Sequence, residues 1–135
     1  MWDLKSQEPP QDAKVYIITP AEGSEVGKTF SVKFGVEGIM VKPAGDQTPH
    51  SGHFALMVNV DKAHHADMPI STSLHPGPDV EIPAGPQTYS FGKAQTDTTI
   101  TLSPGQHTLQ LIFVDQYHVP FKPSLESDRI TVHIA

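Results

Sequence analysis

A chain of 135 residues with a formal net charge of −6 has room for one hydrophobic core and no need of a second. Its nine lysines and arginines lie scattered, so no basic face exists to grip nucleic acid. The absence of cysteine excludes disulfides and thiolate metal sites. No apolar stretch approaches the roughly 18 residues of a membrane span, and the first residues do not read as a signal peptide. Thirteen prolines and ten glycines predict short strands and corners rather than long helices.

Residues 1–13 are polar, contain Pro9-Pro10, and read as a flexible N-terminal tether to a single domain over 14–135. Val15 to Ile18 is the first strand, halted by Pro20. Phe30, Val32, Phe34 and Val36 alternate with Ser31, Lys33 and Gly35, which predicts a second strand with one wet face. A loop over 38–51 follows. The third strand runs from about Gly52 to Val60, with Phe54, Leu56, Val58 and Val60 on one face and His53, Ala55, Met57 and Asn59 on the other.

Residues 61–95 hold five prolines and three glycines and predict an irregular segment along the sandwich edge, with minor strands at Val80–Ile82 and Tyr89–Phe91. The clearest stretch is 99–115. Ile100 and Leu102 alternate with threonines, Pro104-Gly105 supplies a turn, and Leu109, Leu111 and Phe113 resume the alternation, so a pair of strands joined by a tight turn is expected. A loop over 115–127 leads to a last strand carrying Ile130, Val132 and Ile134. Shared phase places Phe34, Val36, Phe54, Leu56, Val58, Ile100, Leu102, Leu109, Leu111, Phe113, Val132 and Ile134 in the core. The pattern fits an all-β, immunoglobulin-like antiparallel β-sandwich of about seven strands, with a jelly roll or small barrel as the alternative.

Five stretches stand out: V-Y-I-I-T-P-A-E-G-S-E-V from Val15, V-K-F-G-V-E-G-I-M-V-K-P-A-G from Val32, S-G-H-F-A-L-M-V-N-V-D from Ser51, T-D-T-T-I-T-L-S-P-G-Q-H-T-L-Q-L from Thr96 and D-Q-Y-H-V-P-F-K-P from Asp115. Together, in this order, they resemble a family of small, histidine-rich bacterial domains, the domain-of-unknown-function 4399 family. The resemblance implies a secreted or periplasmic setting. The family carries three histidines after the glycine of the third strand, of which His53 is retained while Phe54 and Ala55 replace the others. Its late H-[IV]-P-H loop reads here His118-Val119-Pro120-Phe121.

Eight histidines is a rich content, and His50, His53, His64, His65 and His75 fall within 26 residues. Neutral imidazole is a common ligand for copper and zinc. No H-E-x-x-H or H-x-H spacing fixes a geometry, and loops that merely tolerate histidine would look the same. Topology adds a constraint. In an immunoglobulin-like sheet the third strand runs antiparallel to the penultimate one, which brings His53 to the end where His118 lies. His50 opens on the same rim, so His53, His118 and His50 form the candidate metal set, with Asp115 as a ligand or supporting carboxylate. His64-His65-x-x-Met68 is a separate copper candidate. His107 reads as a cap on the core edge and His133 as a surface residue.

No catalytic motif is present, neither G-x-S-x-G nor a phosphate-cradling glycine loop, so no enzyme is expected. The leading expectation is a non-enzymatic binding module for copper or zinc. The alternative is a metal-free interaction or structural domain that grips a protein or peptide through the 38–51 and 115–127 loops, whose tips carry Ile39, Met40, Tyr117, Val119 and Phe121.

Overall fold

The structure is a computed structural model that describes residues 6–61 and 69–135. Its strands in chain order are β1 (Lys14–Thr19), β2 (Glu25–Val26), β3 (Thr29–Glu37), β4 (Met40–Val41), β5 (Ser51–Val58), β6 (Gln87–Ser90), β7 (Asp97–Thr101), β8 (Gly105–Val114) and β9 (Ile130–Ile134). No helix occurs among the described residues, and so none is long and apolar enough to cross a membrane. One sheet has the order β1-β3-β7. The other runs β2-β9-β8-β5, with β4 and β6 both pairing with β5. First, second and fifth long strands in one layer, and third, penultimate and last in the other, is the immunoglobulin arrangement of a β-sandwich.

The alternation in the sequence becomes the core directly. Val32, Phe34, Ile100 and Leu102 from one sheet meet Phe54, Leu56, Val58, Leu109, Leu111, Phe113, Val132 and Ile134 from the other. Of the expected core, only Val36 is half-buried rather than buried. Phe54 sits against both Phe34 and Phe113 with ring centroids 5.1 Å apart in each case, so aromatic packing joins the two layers.

Three expectations need correction. The strands either side of Pro104-Gly105 do not pair with each other: β7 bonds to β3 and β8 to β5 and β9. The turn is a corner between layers, because Ile100 and Leu102 must face Leu109 and Leu111 across the core rather than lie beside them. The third strand keeps its two expected faces only as far as Val58, and both are buried over all eight residues of β5. Its second face is covered by a smaller cluster of Ala55, Met57, Ile112 and Val114, with Val60 and Ile70 packed against it. Val60 reaches that second face because Asn59 adopts φ 57° and breaks the alternation. Finally, Ile39, Val119 and Phe121 are not exposed loop tips but buried side chains, leaving Met40 as the exposed large one among the five.

The described part of the first thirteen residues makes specific contacts. Gln7 accepts a hydrogen bond from the Lys122 N–H at 2.9 Å, and its side-chain amide donates to Asp115 Oδ2 at 3.2 Å. Residues 69–91 touch both sheets: Ser73 bridges to Tyr89 on β6 of the larger one, Glu81 bridges to Thr101 on β7 of the smaller one, and Ile82, Tyr89 and Phe91 enter the main core.

The fold predicts a large effect at Leu111, which is fully buried in the central strand β8. Leu111→Ala is expected to lower stability by about 2–5 kcal/mol, read as a shift of the urea midpoint at an unchanged slope.

Candidate functional site

The register of β5 against β8 places His53 opposite Val114. Its side chain therefore joins the outer face of the larger sheet, beside Ala55, Met57 and Val114, and not the sandwich interior. The close approach that makes this possible is set one residue earlier. A Cβ on Gly52 would collide with the Val114 carbonyl oxygen, so only glycine lets the start of β5 lie this near to the end of β8.

Beyond Val114 the chain turns through a five-residue loop that returns to a bridge between Val114 and Pro120. Asp115 organises it. This carboxylate is 2% exposed, and its Oδ1 accepts the N–H groups of Tyr117 at 2.8 Å and Val119 at 3.0 Å. The Asp115 carbonyl accepts the His118 N–H at 3.0 Å, and the His118 carbonyl accepts the Ile70 N–H at 2.9 Å. Held from both sides, His118 takes φ 65°, a left-handed conformation that costs a non-glycine residue about 1–2 kcal/mol. An outlier over-determined by its surroundings is a common mark of a site.

The result is a contact between two imidazoles. The ring centroids of His53 and His118 are 4.7 Å apart at an interplanar angle of 81°. His53 is fully buried, and neither Nδ1 nor Nε2 has a hydrogen-bond partner. A neutral imidazole has one donor and one acceptor, and leaving each unpaired in the interior costs about 1–3 kcal/mol. Burial, and then the nearby His118 ring, push the His53 pKa down to about 4. His53 thus lies in packed surroundings on the outer face of the sheet.

His107 shows how a structural histidine behaves in the same fold. Its Nδ1 meets the Asn59 side-chain amide at 2.9 Å and its Nε2 meets the Ser103 carbonyl at 2.8 Å. These partners imply a ring protonated at Nε2, fully satisfied and tying β8 to the end of β5. It is the cap expected from the sequence. His133 is exposed, as expected for the outward position on β9.

The remaining candidates separate. His50 stands exposed on the turn into β5 with φ 55°, and its carbonyl accepts the Met40 N–H at 3.1 Å. Among the described residues no group of three or more His, Cys, Asp or Glu side chains is arranged to hold a metal ion, so His50 does not complete a triad with the pair. Asp115 acts as the clamp of the loop, its Oδ1 taken by two backbone N–H groups. His64, His65 and Met68 lie outside the described residues.

A histidine not singled out in the sequence does enter. His75 and His118 line one open cleft of about 570 Å³, together with Leu74, Phe91, Lys93 and Asp97. The His75 ring stands edge-on to Tyr89 at 5.4 Å, and its buried Nε2 has no partner. Burial lowers its pKa as well. Nothing in the proline-rich 61–95 sequence marks His75 apart from its neighbours; only the bridge from Ser73 to β6 brings it there. The Asp115 clamp was more readable, since an aspartate whose side chain accepts the N–H two residues on is the usual Asx-turn.

What the fold and site define is an immunoglobulin-like β-sandwich domain in which a buried, unpartnered imidazole meets a second imidazole at one end of the larger sheet. The chain belongs to the family described as a domain of unknown function (DUF4399), which it matches over residues 32–135. No curated protein and no solved structure matches it.

The buried ring makes stability depend on pH. The folded pKa of His53 lies below its unfolded value of about 6.5, so the unfolded chain binds the proton first. Stability from this group is present above pH 6.5 and is lost as pH falls toward 4, by up to about 3 kcal/mol. His53→Leu is expected to flatten that loss between urea midpoints at pH 7 and pH 4.5. It should also raise stability at pH 7, because the orphaned nitrogens are gone.

Proposed function

We propose that this domain is a non-enzymatic binding module of the periplasm or extracellular space, which takes a copper or zinc ion at the His53–His118 pair. The observation that carries the reading is a fully buried imidazole, with neither nitrogen satisfied, in contact with a second imidazole held in a costly backbone conformation. Evolution rarely keeps such a residue without a use, since an apolar side chain would pack at lower cost.

The donor chemistry fits. Imidazole nitrogen suits both ions, and depressed basicity keeps His53 available as a neutral ligand down to a pH of about 4. Two imidazoles bound to one tetrahedral ion, with metal–nitrogen distances of 2.0–2.1 Å, place their centroids about 5 Å apart. The 4.7 Å separation lies close to that value. The competing reading, a peptide grip through the 38–51 and 115–127 loops, loses most of its apolar surface because Ile39, Val119 and Phe121 are buried.

Isothermal titration with copper(II) and zinc(II) tests the proposal. A saturable phase of one ion per chain is expected, abolished in His53→Leu and in His118→Ala, and retained in His50→Ala and His133→Ala. Titrations of the two pair variants that match those of the unaltered domain would remove the pair from the site.

A further inference from the structure

His53 is fully buried, and the ring that meets it belongs to the loop after β8. One residue from the far end of the chain holds that loop at both of its ends. The Gln7 side-chain amide donates to Asp115 Oδ2 at 3.2 Å and to Gln116 Oε1 at 3.4 Å, and the Gln7 carbonyl accepts the Lys122 N–H at 2.9 Å. Asp115 Oδ1 is taken by N–H groups of the loop itself, so among the described residues Gln7 is the side chain that meets the second carboxylate oxygen. Two backbone bonds reach the middle of the loop, from the Gly45 N–H to the Gln116 carbonyl at 3.2 Å and from the Ile70 N–H to the His118 carbonyl at 2.9 Å.

Residues 6–13 form a strap with a fixed root and a lightly held tip. At the root, Ala13 packs against the main core, and a Cβ on Gly38 would stand 2.8 Å from the Asp12 carbonyl oxygen. Pro9 and Pro10 restrict φ at two successive residues, and the Ala13 N–H bonds to the Pro10 carbonyl at 3.0 Å. The direction of the root is thus carried to Gln7 by a chain with little freedom to lose. At the tip Gln7 and Glu8 are exposed, and an open space of about 520 Å³ lies between Glu8, Pro9 and Pro10 on one side and Pro123, Ser124 and Leu125 on the other. A segment held by a few exposed hydrogen bonds opens at far lower cost than a packed core.

We propose that residues 6–13 are a latch. Gln7 locks the 115–122 loop over His53, and its release is the local opening that exposes the buried imidazole. This opening belongs to the fold and needs no metal. An ion that binds the pair enters by it, because His53 is shut from solvent while the latch is closed.

The test uses the metal-free full chain and two readouts. One is hydrogen exchange of the Tyr117 and Val119 amides; the other is acylation of His53 by diethyl pyrocarbonate at a single-hit dose, located by peptide mapping. Gln7→Ala is expected to speed all three by about three- to tenfold, the worth of one net hydrogen bond. Exchange at Leu56 and Val58, which pair with strands on both sides, should stay as in the unaltered chain. Replacing Pro9 and Pro10 together by glycine keeps the Gln7 side chain, and is expected to act in the same direction because a flexible strap loses more freedom on closing. Three results overturn the inference: unchanged Tyr117 and Val119 amides in Gln7→Ala, faster amides without faster labelling of His53, or Leu56 and Val58 exchange rising by the same factor. The last would mean that the whole domain, rather than the loop, had been loosened. Metal titration plays no part in these readouts, so failure of the latch and failure of ion binding at the pair are seen separately.

Discussion

The antiparallel ladder between β5 and β8 is the constraint on which the rest depends. It runs from His53 opposite Val114 to Val58 opposite Leu109. One face of that ladder supplies Phe54, Leu56, Leu111 and Phe113 to the core, and the other supplies His53, Ala55, Ile112 and Val114 to the outer cluster. A slip of one residue would exchange the two sets, sending an imidazole into the sandwich and two phenylalanines out of it. Gly52 against the Val114 carbonyl and Asn59 against Thr108 fix the two ends of β5. The site is thus specified by the same pairing that specifies the core.

Much of this was legible in the sequence because alternation is a local signal. The long strands, the sandwich class and the strand-borne centre of the main core follow from period-two patterns around Phe34, Leu56 and Leu111, whereas the loop residues Ile39, Ile82, Phe91, Phe121 and Leu125 that complete it carry no such pattern. The proximity of His53 and His118 also followed, since antiparallel pairing in an immunoglobulin-like sheet leaves little freedom about which ends meet. The covering of β5 on its second face was not legible. It depends on where residues 69–91 run, and nothing local to Ala55 or Met57 announces a roof. The corner at Pro104-Gly105 looked like a hairpin for a related reason: a turn dipeptide reports the bend of the chain but not the layer to which the next strand returns.

The histidines divide by whether their hydrogen-bonding groups are met. His107 is satisfied on both nitrogens and serves the fold. His53 is satisfied on neither, and its cost is borne by a domain of ordinary size whose total stability is expected to be only about 5–15 kcal/mol. Acidic conditions raise that cost further, because the ring must stay neutral inside. Residues that weaken a fold while remaining buried in it are where activity and stability are traded against one another. The left-handed backbone at His118 points the same way, since the Asp115 clamp holds a conformation that the chain would not choose alone.

The outer cluster of Ala55, Met57, Ile112 and Val114 is a body separate from the main core, although both grow from the same two strands. Substitutions on the two faces should therefore act nearly additively, as expected for positions without shared partners. Such a partition gives a lineage two independent dials. The sandwich can be strengthened from within to offset a destabilising change outside, while the surroundings of the imidazole pair drift in size and polarity without disturbing the register that holds them. A family built this way would be expected to vary most in the residues that replace its histidines and least in the inward-facing phase of its central strands.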